Sequence, residues 1–210
     1  MKNRYFLFVI IFYLSIQTYG QNEIDFYNKI YKTADSLKAI VKVGYMDSDS
    51  LFIKIKETEQ KHPYAFVQLI EEYMLKSKFN EASFVYFLSY MRIGYYNDVN
   101  NNYDERTLFN HLTNNYGGYI NHYLRTDIDN YISIMKMAIK YYLNNDYTFF
   151  SKENNIEKFN LQTVTLNNFI LDFEKNKVKF KKHWKNERIM MEEEIKKNQA
   201  NKEGLRNKQN

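Results

Sequence analysis

Arg92 is the residue most able to do chemistry. It lies in Tyr90-Met91-Arg92-Ile93-Gly94-Tyr95, inside the most apolar segment of the sequence. A guanidinium there must be paired, hydrogen-bonded or turned to water, because an isolated buried charge is too costly to keep. Two chemistries follow. In one, Arg92 recognises an anion in a groove lined by tyrosines, Tyr95 among them, using the planar fork that matches carboxylate or phosphate. In the other it forms a buried ion pair that fixes a helical hairpin, with Glu71, Glu72 or Asp98 as partner.

The second candidate is Tyr116–Asp127, YGGYINHYLRTD. Gly117 and Gly118 offer backbone N–H groups, positive φ or close backbone approach. Asn121 and His122 offer directional hydrogen bonds. As a hydrolase site the stretch lacks a nucleophile, since neither Thr113 nor Thr126 has a recognisable activating base. The plainer reading is an ordered loop whose side chains satisfy buried backbone groups. His62, His111, His122 and His183 have none of the spacings of a metal cluster, so no metal is expected. Asp47-Ser48-Asp49 opens like a calcium loop but lacks the glycine and terminal glutamate. Phosphate-binding loop, nucleophile elbow and cysteine are all missing, and no cofactor is expected. These patterns favour a binding module over an enzyme. The alternative is a small-ligand binder or enzyme built on Arg92, Tyr95, Asn121 and His122.

Those residues need elements to hold them, and Pro63–Asn97 is the strongest. Phe66, Leu69, Ile70 and Tyr73 recur at i, i+3, i+4 and i+7, a helix burying one face. Pro63 suits its first turn, Lys76–Asn80 reads as a tight turn, and Asn80 is placed to cap a second helix. That helix carries Phe84, Val85, Phe87, Leu88, Met91 and Ile93, with tyrosines widening the stripe, so it should be central.

Around this hairpin the expected order is a helix over Glu23–Val43 ended by Gly44, then a short helix through Lys61 capped by Asp49 or Ser50. A strand over Phe52–Ile55 is the alternative. An Asn-rich loop (Asp98–Asp104), a short helix (Glu105–Leu112) and a turn (Asn114–Gly118) follow. Asp127 or Thr126 caps a helix through Leu143, and a long helix covers Asn160–Asn198. There Leu166, Ile170, Phe173, Phe180, Trp184, Met191 and Ile195 approximate a heptad, docked in its first half. Glycine is scarce at 6 residues and proline occurs once. The fold class is therefore all-α, with about seven helices in one domain over residues 21–198 and a disordered tail at 199–210.

Residues 1–20 have the layout of a secretory signal peptide: Lys2 and Arg4, an apolar run Tyr5–Ile16, then small residues at Thr18 and Gly20. A membrane span needs about 20 apolar residues and this run is shorter. The expectation is export to the periplasm or beyond, with no stable membrane insertion after cleavage. With Cys 0, disulfides are excluded and packing must carry stability. The formal charge of +5 concentrates in 174–210, where basic residues outnumber acidic ones two to one. Export and the interspersed Glu192–Glu194 argue against nucleic acid.

Two resemblances add to this. Phe66-x2-Leu69, Tyr73 and Ala82-x3-Tyr86 resemble a single tetratricopeptide unit, though Ile70 replaces its small residue and no second copy follows. Phe79-Asn80-Glu81-Ala82, Met91-Arg92, Gly118, Ile120-Asn121 and Asp127 resemble a group of small bacterial proteins with no assigned activity. That second likeness implies an intact domain over 63–127 and draws attention to Arg92 and Asn121. The expected partner is another protein, and an immunity or inhibitor role is one concrete form.

Overall fold

The computed structural model describes residues 24–38, 43–100 and 103–206. Its regular structure is helical, with no strand among the described residues. The order is α1 (24–38), α2 (Ser48–Thr58), α3 (Tyr64–Leu75), α4 (Phe79–Asn100), α5 (Tyr103–Leu124), α6 (Ile128–Asn144), α7 (Ile156–Leu161), α8 (Val164–Lys175) and α9 (Lys177–Arg206). A 3-10 turn, Lys152–Asn154, precedes α7. The expected signal segment, residues 1–20, lies outside the described residues. No described helix is long and apolar enough to cross a membrane.

The architecture is built round α4. Every residue from Phe79 to Ser89 is buried, because α3, α5 and α6 pack on different sides of it. Each fully buried Phe, Leu or Ile contributes roughly 1.5–3 kcal/mol, so burial of this helix is a large source of cohesion. The α3–α4 hairpin closes where the sequence places it. Ser77 adopts φ 58°, while Lys78 N–H donates to Tyr73 O at 2.9 Å and Ser77 N–H to Met74 O at 3.0 Å. This is the Schellman closure, with serine where glycine is usual.

Several expectations need correcting. Asn114–Gly118 is not a turn: α5 runs unbroken from Tyr103 to Leu124. Gly117 serves close approach, since a Cβ there would stand 2.9 Å from the Tyr86 hydroxyl, whereas one on Gly118 would meet open space. Asn80 is no cap. It lies inside α4, where Oδ1 accepts from Tyr123 Oη and from Asn130 Nδ2, both at 2.8 Å, and Nδ2 donates to Tyr45 O at 2.8 Å. Asn160–Asn198 is not one helix but the end of α7, then α8 and α9, with Asn176 (φ −111°, ψ 23°) as the joint. The apolar seam survives that joint, because the Phe173 ring lies 4.9 Å from Phe180 and 5.3 Å from Trp184. α9 continues to Arg206, through the first part of the stretch expected to be disordered; residues 207–210 lie outside the described ones. The segment 52–55 is helical, as favoured. Asp127 caps α6, accepting from Asp129 N–H at 2.9 Å and Asn130 N–H at 3.3 Å.

Candidate functional site

Arg92 sits in the fourth turn of α4, facing the end of α2 and the segment after α6. Its side chain is 0% exposed and that of Glu59 is 4% exposed. Arg92 Nη2 donates to Glu59 Oε1 at 2.7 Å and to Asn145 O at 2.8 Å. Tyr141 Oη donates to the other carboxylate oxygen at 3.2 Å. The guanidinium carbon lies 4.7 Å from the Tyr142 ring centroid and 5.4 Å from that of Tyr147, close enough for cation–π attraction. Arg92 Nε and Nη1 have no hydrogen-bond partner; the aromatic faces are their neighbours. Burial pushes the Glu59 carboxyl up, while the charge and hydrogen bond of Arg92 and the Tyr141 hydroxyl pull it down.

The partner is therefore Glu59, not Glu71, Glu72 or Asp98. Glu72 pairs instead with Lys54 and Lys76, and Asp98 accepts from Gln162 Nε2 at 2.6 Å. Tyr95 is also fully buried. Its hydroxyl donates to Ser151 O at 2.9 Å and accepts from Asn155 N–H at 3.0 Å. Protein encloses both side chains. What they do here is tie the 145–155 segment to α4.

Asn121 and His122 lie elsewhere, on the last turn of α5. Asn121 Oδ1 accepts from Tyr131 Oη at 2.6 Å. The His122 ring is 4.6 Å from Tyr27, with Nδ1 3.4 Å from Tyr31 Oη. Burial pushes the Tyr31 hydroxyl up to about 12, so it stays neutral, and which of the two groups donates follows from the His122 tautomer. The four expected site residues thus divide into two sets with different partners and do not form one groove. Among the described residues no three His, Cys, Asp or Glu side chains gather as a metal ion needs.

Near His122 the surface does open. A cleft of about 440 Å³ lies between the end of α1, the α5–α6 corner and α9, lined by Lys38, Arg125, Thr126, Asp127, Asp129, Trp184 and the α9 cations Lys181, Lys185 and Arg188. Most of these charges are committed. Lys177 and Lys181 both pair with Asp129, and the Lys177 hydrogen bond holds the Asp129 carboxyl below its ordinary value. Arg188 clamps Asp35 at 2.6 Å and Glu192 at 2.6 Å; Arg125 reaches Glu187 at 3.2 Å. Lys38 and Lys185 have no ion-pair partner among the described residues.

A different surface runs along the outside of α7–α9. Leu161, Val164, Leu171 and Val178 are 57%, 47%, 63% and 84% exposed. Leu161 ends α7, Val164 and Leu171 stand two turns apart on one face of α8, and Val178 opens α9 beyond the Asn176 joint; the buried Leu166, Ile170 and Phe173 take other positions of α8. The exposed Lys175 and Lys182 interleave with the exposed apolar residues of α8 and α9.

No protein-family model, no curated protein and no solved structure matches the chain significantly. The functional reading therefore rests on this geometry. Glu59 escaped the sequence reading because it follows α2 instead of lying on the neighbouring hairpin helix. Of the outer residues, Val164 and Leu171 were legible as an i, i+7 pair offset from Leu166, Ile170 and Phe173. The cleft left only a coarse signal, the basic excess of residues 174–210.

Proposed function

We propose that this chain is an exported, non-catalytic helical module that binds another protein through the outer surface of α7–α9. One observation carries the reading: Leu161, Val164, Leu171 and Val178, from three successive helices, stay exposed on the surface of α7–α9. Large apolar side chains gathered on one surface are the usual mark of a contact surface. The interleaved Lys175 and Lys182 complement a partner whose apolar groove has an acidic rim. Burial of the Arg92 charge pair agrees with this, because it gives the module a rigid body instead of a reacting centre. Plugging the site of a delivered effector, as an immunity protein does, is one concrete form of the activity.

The test is a pull-down with C-terminally tagged protein, expressed from Met1 and recovered from envelope and culture-fluid fractions. One stoichiometric protein should co-purify and be lost with Leu171→Glu or Val178→Glu, while both variants keep the parental thermal midpoint. Retention of the partner by both variants would remove the outer surface of α7–α9 from the function. A recovered protein that still begins at Met1 would refute cleavage and the export that depends on it.

A further inference from the structure

The cleft at the α5–α6 corner is independent of that outer surface, and its chemistry is different. We propose that it is a binding site for an organic phosphomonoester, held by Lys38 from the end of α1, Lys185 from α9 and Arg125 from the corner. The argument begins with which charges are already spent. Asp127 is consumed in capping α6, and Asp129 is held by Lys177 and Lys181. Arg188 directs Nε, Nη1 and Nη2 to Glu192 and Asp35. Each acidic residue lining the cleft thus has a donor of its own, while Lys38 and Lys185 do not have an acceptor among the described residues. Arg125 uses only Nη1, on Glu187 at 3.2 Å, and its side chain is 38% exposed.

The remaining donors come from three separate elements, α1, the α5–α6 corner and α9. A planar carboxylate is well served by one arginine fork, as Asp35 is by Arg188. Three donors approaching from different elements match the three terminal oxygens of a phosphomonoester. Size then sets the rest of the ligand. A cleft of about 440 Å³ falls in the range of small-molecule sites, roughly 300–1,000 Å³, and exceeds the needs of a bare phosphate ion. The buried Ile128 and Trp184 supply an apolar wall for the organic part.

Trp184 is the only tryptophan in the chain, so its emission reports on this cleft. The full chain would be titrated with glucose 6-phosphate, with glucose and inorganic phosphate run in parallel. A saturable change in Trp184 emission is expected with glucose 6-phosphate and none with glucose. In a Lys38→Gln/Lys185→Gln variant affinity should fall about tenfold or more, from losing two charge-assisted contacts. Neither side chain makes a hydrogen bond or ion pair among the described residues, and Lys38 acts on Asp35 only at longer range, so the thermal midpoint of that variant should move little. Vesicles of phosphatidylcholine containing phosphatidic acid form the second arm. A response to them and not to the sugar phosphate would keep the phosphomonoester chemistry and assign it to a lipid headgroup. No saturable response in either arm, or equal affinity in the double variant, would overturn the site. Equal affinity for inorganic phosphate would overturn the organic part of the ligand.

Discussion

Replacing Arg92 with methionine tests the account of the core most directly. The side chain is fully buried, and its removal leaves the 4%-exposed Glu59 carboxylate with only the Tyr141 hydroxyl for company. Deleting one member of a buried pair costs about 3–5 kcal/mol, chiefly because the other charge stays desolvated. Against a total stability of roughly 5–15 kcal/mol that is a large fraction. At about 2–4 °C per kcal/mol for a chain of this size, the thermal midpoint should fall by about 6–20 °C. The sign with pH follows from Glu59. Its carboxyl is already raised above the ordinary 4.5 by burial, and losing Arg92 raises it further. A raised folded-state value means stability is fully present below 4.5 and lost as pH rises through that value. The cost of Arg92→Met should therefore be greater near about pH 8 than near about pH 5. Adding Glu59→Gln should bring the protein back to within about 1–2 kcal/mol of the parent, since the uncompensated charge is gone. Urea denaturation followed by circular dichroism at both pH values measures all three quantities. A single-variant cost below about 1 kcal/mol, or one that does not change with pH, would refute the reasoning. So would a double variant no more stable than the single one.

Three further outcomes are expected. Ser77→Gly should raise stability by about 0.5–1 kcal/mol, because φ 58° strains a side chain and suits glycine; an unchanged or lower urea midpoint would contradict that closure. Gly118→Ala should stabilise α5 by about 0.5–1 kcal/mol through helix propensity, whereas Gly117→Ala should gain nothing, its Cβ standing 2.9 Å from the Tyr86 hydroxyl; equal gains in thermal midpoint would refute the close approach. Below pH 3.8 the α9 helix should loosen first. Hydrogen bonds from Arg188 and Lys177 hold the Asp35 and Asp129 carboxyls below that ordinary value, and lowered values mean stability present above 3.8 and lost as pH falls. Trp184 emission should then change before the far-ultraviolet helical signal, and coincident transitions would contradict it.

Much of the fold was legible because α3, α4 and α6 carry long periodic patterns with local end signals. Pro63, Asp127 and the all-round apolar character of α4 each have a short-range physical cause, and each leads to the observed element. What failed were inferences that needed distant neighbours. The paired glycines suggest a turn until Tyr86 is placed against Gly117. Asn80 resembles a cap until Tyr45, Tyr123 and Asn130 are gathered round it. For Arg92 the buried ion pair was among the expected chemistries, but its carboxylate came from Glu59, which no helical spacing links to it. Grouping Arg92 and Tyr95 with Asn121 and His122 failed for the same reason: all four are polar residues in aromatic surroundings, but only the first two share a neighbourhood.

The segment from Asn145 to Asn155 has little regular structure of its own, yet it is pinned at several points. Arg92 holds Asn145 O, Tyr95 holds Ser151 O and Asn155 N–H, Tyr147 Oη reaches Lys61 O at 2.9 Å, and Phe149 N–H donates to Glu59 O at 2.8 Å. A protease must draw a stretch of extended chain into its cleft, and these ties resist that. Trypsin should therefore spare Lys152 in the native protein. Cleavage should begin near Asn176, where two helices meet at a single residue between Lys175 and Lys177, releasing α9 as the first fragment.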